Sequence, residues 1–220
     1  MKRYAIIVAG GTGSRMNSEL PKQFLMLNGK PLLMHSIEAF AHCNCEIIVV
    51  MHKDYIDYWK QTVIEHQFNI QHIVAEGGTL RCESVQNGLN NISDEGLVAI
   101  HDAARPIITP ALIEKLFDEA QQKGNAVPFL RIAESMRQIF PDNNKPVNRS
   151  EFVTIQTPQC FQTNIIQNAY SAITDRSFTD DATLAENFGV KINLVEGDRN
   201  NFKITTADDL KLAEALIGIL

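Results

Sequence analysis

Continuously apolar runs recur along the chain and alternate with longer stretches in which apolar residues return every three or four positions. The runs cover residues 4–8, 47–51, 70–74, 97–100 and 126–129. Because they are apolar throughout, they predict parallel strands that are buried on both faces. The periodic stretches between them predict helices over 31–42, 54–66, 79–91 and 109–123. In the last helix Thr109 is expected as N-cap, Pro110 at the first helical position and Gly124 just past the end.

This alternation predicts an α/β fold: a mostly parallel open sheet of Rossmann-like type, with helices on both faces and right-handed crossovers. In such sheets ligands bind beyond the carboxyl ends of the strands. Polar turns follow three of the apolar runs directly, at residues 10–13, 76–78 and 101–105. We therefore expect these three turns to meet at one edge of the sheet.

The pattern changes between about residues 133 and 156. Short strands are predicted at 136–140 and 152–155, joined by the turn-rich Pro-Asp-Asn-Asn-Lys-Pro at 141–146. We interpret this segment as an antiparallel β-arm that projects from a single domain spanning 1–220. A lone two-stranded ribbon is marginal in water, so the arm is expected to pack against a second copy of the chain, with a hairpin folded back on its own domain as the alternative.

After the arm the sequence predicts helices from about 163 to 173 and from about 179 to 188, and a strand over 191–195. A closing helix is expected to carry its apolar residues on one face. These residues are Leu210, Ala213, Leu216, Ile217 and Leu220.

Length and charge limit the possible function classes. A chain of 220 residues fits one well-buried α/β domain. The formal net charge of −6 argues against nucleic-acid binding. There is no apolar stretch long enough to span a bilayer and no signal-peptide pattern before the first strand, so a cytoplasmic protein is expected. The cations near turns and strand ends must then form a local site; these are Arg15, Lys22, Arg105, Arg149 and Lys203.

The first glycine-rich turn is the leading candidate for a phosphate site. It reads Gly-Gly-Thr-Gly-Ser-Arg-Met over residues 10–16, and glycines let backbone N–H groups approach a phosphate. Arg15 and Lys22 would add the positive charge that a triphosphate needs. A P-loop is disfavoured because no Lys-Ser/Thr pair follows Gly13, and a dinucleotide fingerprint is disfavoured because Met16 stands where a third glycine belongs. An ordinary strand-to-helix turn is the alternative.

Asp102 is the leading candidate for a site carboxylate because it follows a predicted buried strand directly. It could orient a ribose hydroxyl, a metal-bound water or a substrate hydroxyl, or it could simply cap a helix and pair with Arg105. His101 stays unassigned, since phosphoryl transfer needs no general base when the nucleophile is a phosphate oxygen. Residue chemistry alone gives Lys203 and Arg149 only weak claims.

Taken in order, the motifs resemble the 2-C-methyl-D-erythritol 4-phosphate cytidylyltransferase family of sugar and polyol-phosphate nucleotidyltransferases. They comprise residues 10–16, Pro-Lys-Gln at 21–23, Gly-Gly at 77–78 with Arg81 and Ser84, His-Asp-Ala-Ala-Arg-Pro at 101–106, Thr-Pro-Gln at 157–159, Thr-Asp-Asp-Ala at 179–182 and Asn-Phe-Lys-Ile-Thr at 201–205. The resemblance implies transfer of a cytidylyl group from CTP to 2-C-methyl-D-erythritol 4-phosphate with loss of pyrophosphate, which forms 4-diphosphocytidyl-2-C-methyl-D-erythritol in non-mevalonate isoprenoid synthesis. It also implies a homodimer with interlocked arms and a magnesium cofactor held mainly by the CTP phosphates, with no protein ligand assigned to the metal.

The same resemblance implies roles for individual residues. Arg15 and Lys22 match transition-state stabilisers, whereas Arg149 and Lys203 match positions that hold the substrate phosphate for attack. The nucleotide side is matched by Ala9, Gly10, Gly11, Gly13, Gly77, Ser84, Asp102 and Ala103, and the substrate side by Asp102, Arg105, Ser135, Arg149, Thr157 and Thr179.

Two positions depart from the family pattern, and three other functions remain open. Ser135 stands where the family often has threonine, and Thr79 where aspartate is common, which weakens a nucleotide role for Thr79. Ribitol-5-phosphate cytidylyltransferase is the nearest rival, although Ala103-Ala104 favours the methylerythritol enzyme. A dinucleotide-dependent oxidoreductase and a nucleotide sensor without turnover are the rivals from other classes.

Overall fold

The computed structural model describes residues 1–11, 20–172 and 178–218. Its strands are β1 (Lys2–Ala9), β2 (Met26–Leu27), β3 (Lys30–Pro31), β4 (Glu46–Met51), β5 (Ile73–Glu76), β6 (Gly96–Asp102), β7 (Asn125–Arg131), β8 (Met136–Ile139), β9 (Asn144–Val147), β10 (Val153–Ile155), β11 (Gln159–Gln162) and β12 (Leu194–Glu196). Its α-helices are α1 (Leu32–His42), α2 (Ile56–Glu65), α3 (Arg81–Leu89), α4 (Pro110–Lys123), α5 (Thr163–Ala172), α6 (Asp181–Asn187) and α7 (Ala207–Ile217). Within these ranges no helix combines the length and apolarity that a membrane crossing requires.

The central sheet has the strand order β10-β7-β11-β6-β1-β4-β5, and β12 pairs with β7. Strand β1 lies in the middle and pairs in parallel with both β4 and β6, and β5 continues the parallel half. The mostly parallel α/β architecture predicted from the apolar runs is thus confirmed. The apolar character of β1 has a direct cause: its alternate residues face the two helical layers, and both faces are buried.

Each face of the sheet carries its own core. Ala5, Ile7 and Ala9 share a buried cluster with residues of α1, α2 and α4. Tyr4 and Ile6 point the other way and share a cluster with residues of α3, α5 and α6. Helix α7 joins a smaller cluster with β2 and α1.

Helices α4 and α7 correspond to two of the predicted helices. The predicted caps of α4 are confirmed: Thr109 accepts a hydrogen bond from the N–H of Leu112, and Gly124 has a φ of 88°. The closing helix is α7, with Ala213 buried on its inner face. Leu220, predicted for the same face, lies outside the described residues.

The sequence pattern missed strand β11. Gln159–Gln162 lies between β6 and β7 and is antiparallel to both. Its two ends are glutamines, so it lacks the long apolar run that marked the other buried strands. Its position matters for the site, because it brings the preceding Thr157 to the carboxyl edge of β6.

The strand pairing predicted for the arm was wrong in one respect. Strand β8 pairs with β9, not with the segment at 152–155. That segment forms β10, which pairs with β7 at the end of the central sheet. The hairpin is therefore shorter than predicted, because the polar stretch taken for a turn itself supplies the return strand Asn144–Val147.

Candidate active site

Two adjoining cavities lie at the carboxyl edge of the parallel strands. Strand register makes the strand ends level, since Val8 lies opposite Asp102 and Ala9 opposite Met51. The first cavity has a volume of about 360 Å³ and is lined by Val8, Ala9, Gly10, Gly11, Lys22, Gln23, Gly78, Thr79, Leu80, Arg81, Ser84, Asp102, Ala103, Ala104 and Lys203. The second, of about 390 Å³, is lined by Arg81, Asp102, Arg105, Ile155, Gln156, Thr157, Gln159, Thr179, Asp180, Thr183 and Lys203. The convergence of turns predicted from the topology is thus observed.

The turn between β5 and α3 is shaped for close backbone approach. The Ser84 hydroxyl accepts a hydrogen bond from the Gly78 N–H at 3.1 Å and donates to the Leu80 carbonyl at 3.2 Å. A Cβ at Gly77 would lie 3.0 Å from the Ser84 oxygen and 3.3 Å from the Met51 carbonyl oxygen. Glycine suits this position because a side chain would press on the serine that holds the turn and on the end of β4. Thr79, despite the departure noted in the sequence, also lines the first cavity.

A short 3-10 turn over Lys22–Phe24 brings the predicted catalytic lysine over the first glycine turn. The buried Gln23 amide donates to the Ala9 carbonyl at 2.6 Å. The Phe24 ring packs on that of Tyr58, with centroids 4.9 Å apart. Lys22 consequently lies against Gly11, where its Cε would be 3.7 Å from an added Cβ. The predicted site residues Gly13 and Arg15 fall outside the described residues.

Asp102 is held between two cations. Its Oδ2 accepts from Lys203 Nζ at 2.7 Å, and its Oδ1 accepts from Arg81 Nε at 3.4 Å. Burial alone opposes ionisation, but Arg81 and Lys203 outweigh it and hold the pKa of Asp102 well below its usual range. The alternative in which Asp102 pairs with Arg105 is not what the structure has, since Arg105 Nη1 donates to the Asn201 carbonyl at 2.8 Å. Asp102 is therefore a charged acceptor at the wall shared by both cavities.

Thr157 fixes the backbone at the end of β6. Its hydroxyl accepts from the Asp102 N–H at 3.0 Å and lies 3.2 Å from Nδ1 of the buried His101. Burial lowers the pKa of His101 to about 4, so the imidazole is neutral at pH 7. The Asn201 amide donates to the Thr157 carbonyl at 2.8 Å, which ties the loop carrying Lys203 to this point. His101 and Asn201 thus support the site from behind.

The structure does not bring every predicted residue into the cavities of one chain. Ala9, Gly10, Gly11, Lys22, Ser84, Asp102, Ala103, Arg105, Thr157, Thr179 and Lys203 line one cavity or both, and Gly77 lies directly behind Ser84. Ser135 and Arg149 are exposed on the arm and line neither cavity. The Arg149 guanidinium instead donates to the carbonyl of Ala133, also on the arm.

Sequence reasoning assigned no role to Arg81 or Asp181 beyond their places in motifs. Arg81 lines both cavities, and Asp181 binds its guanidinium from the interior. Helical spacing held a usable signal: Asp181 shares a face with Leu184 and Ala185, which are apolar and buried, and this spacing favours a buried carboxylate. A buried carboxylate needs a cation, and Arg81 supplies it.

The described side chains that line the first cavity offer few ligands to a metal ion. Among the residues whose placement is described, no group of three or more His, Cys, Asp and Glu side chains could hold a metal. Asp102 is the only acidic residue among the described lining of the first cavity, and Lys203 occupies one of its oxygens. A divalent cation here would need most of its oxygens from a ligand.

Comparison with known proteins gives one consistent family. A family model described as 2-C-methyl-D-erythritol 4-phosphate cytidylyltransferase matches residues 4–218. The protein of that name from Bacteroides thetaiotaomicron is 43% identical over 219 residues, covering 99% of this chain and 100% of the relative. The solved structure of the 2-C-methyl-D-erythritol 4-phosphate cytidylyltransferase from Thermus thermophilus is 31% identical with a TM-score of 0.82, covering 98% of each chain. The 4-diphosphocytidyl-2C-methyl-D-erythritol synthase from Anaerococcus prevotii is 27% identical with a TM-score of 0.83, covering 99% of this chain and 98% of that one.

Proposed function

Because the chain belongs to the 2-C-methyl-D-erythritol 4-phosphate cytidylyltransferase family, it transfers a cytidylyl group from CTP to 2-C-methyl-D-erythritol 4-phosphate, and we propose that its two cavities divide the substrates between them. The first cavity, with its glycine turns and Lys22, takes CTP, and the second takes the methylerythritol phosphate. One observation carries this division: Arg81, Asp102 and Lys203 line both cavities. The reacting phosphates would therefore meet at a wall built from two cations and one carboxylate.

The reaction needs no covalent enzyme intermediate. A phosphate oxygen of methylerythritol phosphate forms a bond to the α-phosphorus of CTP, and the bond from that phosphorus to the bridging oxygen of the β-phosphate breaks. Pyrophosphate leaves with the bonding electron pair. Negative charge spreads over the non-bridging oxygens, where Lys22 and Arg15 would stabilise it. Lys203, held 2.7 Å from Asp102 in the free protein, is placed to exchange this partner for the substrate phosphate.

We propose magnesium as the cofactor, held mainly by the CTP phosphates. The scarcity of free carboxylate oxygens in the described lining supports this arrangement, because phosphates must then provide the ligands. Bound there, the ion would supply charge neutralisation of the triphosphate. The proposal predicts that chelation of divalent cations abolishes pyrophosphate release and that magnesium restores it.

We further propose that the enzyme works in the cytoplasm as a homodimer in which each arm completes the partner's site. The placement of Arg149 and Ser135 supports the shared site, because neither residue lines a cavity of its own chain. The exposed side chain of Ile139 on the arm, 82% accessible, is a further reason to expect a covering partner.

The direct test measures pyrophosphate release from CTP and magnesium with a panel of phosphorylated polyols. We expect methylerythritol phosphate to give the highest kcat/KM. Faster turnover with ribitol 5-phosphate would overturn the substrate assignment. Tight nucleotide binding without release on any polyol phosphate would instead favour a sensor.

A further inference from the structure

Asp181 presents an unusual feature behind the site: a carboxylate with 0% exposure that lines neither cavity. Both of its oxygens bind Arg81, with Nη1 at 3.0 Å from Oδ1 and Nη2 at 2.8 Å from Oδ2. The Tyr170 hydroxyl donates to Oδ1 at 2.6 Å. The three side chains come from the start of α3, the end of α5 and the start of α6. The ion pair thus joins α3 to α6, and the tyrosine hydrogen bond adds α5.

Stability alone is a weak explanation for this ion pair. Taking a carboxylate and a guanidinium out of water costs free energy, and a well-packed apolar pair of similar volume often serves the core as well. The bidentate geometry does provide something an apolar pair lacks, because two parallel hydrogen bonds fix the orientation of a planar guanidinium. The orientation of Arg81 matters because the same side chain reaches the site.

The guanidinium of Arg81 faces two carboxylates unequally. Its terminal nitrogens both serve Asp181, whereas only Nε approaches Asp102, at 3.4 Å. Asp102 therefore keeps its Oδ2 for Lys203 at 2.7 Å. If the Arg81 guanidinium were free to rotate, its two terminal nitrogens could bind both oxygens of Asp102 and displace Lys203 from that carboxylate.

We infer that Asp181 is a positioning residue for the cytidylyl transfer. By occupying both terminal nitrogens of Arg81, it sets the orientation of the Asp102 carboxylate and of Lys203 on the wall between the cavities. The Tyr170 hydroxyl holds the Asp181 carboxylate in the orientation that accepts both hydrogen bonds from Arg81. The inference rests on the proposed function, in which that wall contacts both CTP and methylerythritol phosphate.

The neighbouring Asp180 shows why the role belongs to Asp181. Asp180 lines the second cavity, caps α6 through the Thr183 N–H and accepts from the Gln159 amide at 2.9 Å. Of the two adjacent acids, Asp181 alone binds Arg81 from the interior.

A double-mutant cycle separates positioning from a general structural role. Asp181→Asn keeps the shape of the side chain but removes the negative charge that holds the Arg81 guanidinium. In the wild-type background we expect it to lower kcat/KM for methylerythritol phosphate by about tenfold, within the range of coupled neighbours. In an Asp102→Asn background, where no carboxylate remains to be misoriented, the same change should cost less than about twofold. An equal loss in both backgrounds would overturn the inference.

Two further variants protect the test from a folding artefact. Tyr170→Phe removes only the hydroxyl that orients Asp181, so a loss of about threefold, again absent in the Asp102→Asn background, is expected; if Asp181→Asn does not fold, this cycle decides. Ile166→Val, at a fully buried position on α5, is the matched control. It should lower the melting temperature while leaving kcat/KM unchanged, and a kinetic loss in it similar to that of Tyr170→Phe would point to destabilisation instead.

The same variants are also measured by calorimetric titration with CTP and magnesium, which needs no turnover. A wild-type protein that binds CTP but releases no pyrophosphate would contradict the proposed function only. The positioning role would then be decided by affinity: coupling between positions 181 and 102 supports it, and additive losses contradict it.

Discussion

At the scale of the residue, charge balance explains how the site stays formed without substrate. Arg81 and Lys203 are matched by Asp102 and Asp181 within one connected set of hydrogen bonds. Because these charges are paired, the cations do not repel one another before the phosphates arrive. Lys22 lies in the first cavity beside Gly11, and we propose that it acts there on the triphosphate.

We expect Lys22→Ala and Arg15→Ala each to lower kcat by about 10²-fold or more, because one fixed donor at a developing negative charge contributes roughly that much in comparable sites. Steady-state kinetics with CTP and methylerythritol phosphate measures this. Lys60→Ala, on the exposed side of α2, is the control and should retain full activity. A variant with normal kcat and only a raised KM for CTP would assign the side chain to ground-state binding.

His101 makes stability depend on pH in a predictable direction. Burial lowers its folded-state pKa to about 4, whereas the unfolded chain binds the proton near the ordinary value of 6.5. The unfolded state therefore binds more protons between these values, and the free energy of unfolding falls as the pH is lowered through this window, by up to about 3 kcal/mol.

Urea denaturation across the window checks this expectation. His101→Gln, which cannot take up the proton, should show a shallower dependence than the wild type below about pH 6.5. Above about pH 7.5 both states hold a neutral imidazole, so the two proteins should respond to pH alike there. Identical slopes below pH 6.5 would mean that His101 titrates normally in the folded protein.

At the scale of the element, the packing of α3 against the sheet sets the site. Its Gly88 lies so close to β1 and β4 that an added Cβ would be 2.7 Å from Cγ2 of Ile6 and 3.0 Å from Cγ2 of Val50. The same helix carries Arg81 and Ser84 at its first turn. A shift of the helix away from the sheet would therefore move both residues relative to Asp102.

Gly88→Ala is expected to destabilise the protein by about 1–3 kcal/mol, because overpacking outweighs the gain that alanine normally gives in a helix interior. Denaturant titration measures the free energy of unfolding. Gly218→Ala, where the nearest atoms lie 3.7 Å from the added Cβ, serves as the matched control and should be neutral or slightly stabilising. A Gly88→Ala protein as stable as the wild type would show that α3 can move without cost.

At the scale of the whole molecule, the question is whether one chain holds a complete site. Within the described part of the chain, the hairpin of β8 and β9 is a sheet of its own, separate from the central sheet. It carries Arg149 close to its base, outside both cavities. An arm from a second chain is the proposed source of this cation.

Mixed dimers test the shared site. Lys22→Ala and Arg149→Ala are each expected to be nearly inactive alone. After the two proteins are unfolded together and refolded in equal amounts, random pairing makes half of the dimers mixed, and one site in each mixed dimer carries neither defect. About a quarter of all sites should then recover activity, measured as pyrophosphate release. If mass spectrometry confirms mixed dimers and activity stays at the parental level, Arg149 acts within its own chain.

The sequence alone was sufficient for the class of fold and for the edge of the sheet at which the polar turns meet. Buried parallel strands must be apolar on both faces, so β1, β4 and β6 were visible as runs, and polar turns directly after them had to lie at the carboxyl edge. The caps of α4 were equally readable, because an N-cap hydroxyl and a C-terminal glycine are local requirements. The glycine turns and Lys22 followed from the same local chemistry.

Tertiary structure decided what depends on contacts between distant segments. Strand β11 is short and ends in glutamines, so its insertion between β6 and β7 left no periodic signal. The return strand of the arm could not be told from a turn, because pairing rather than composition makes Asn144–Val147 a strand. The ion pair of Arg81 with Asp181 spans 100 positions, and only the placement of α3 beside α6 in the fold sets which acid that arginine meets. Local physics fixes which residues can serve in a site, whereas their partners are set by the fold.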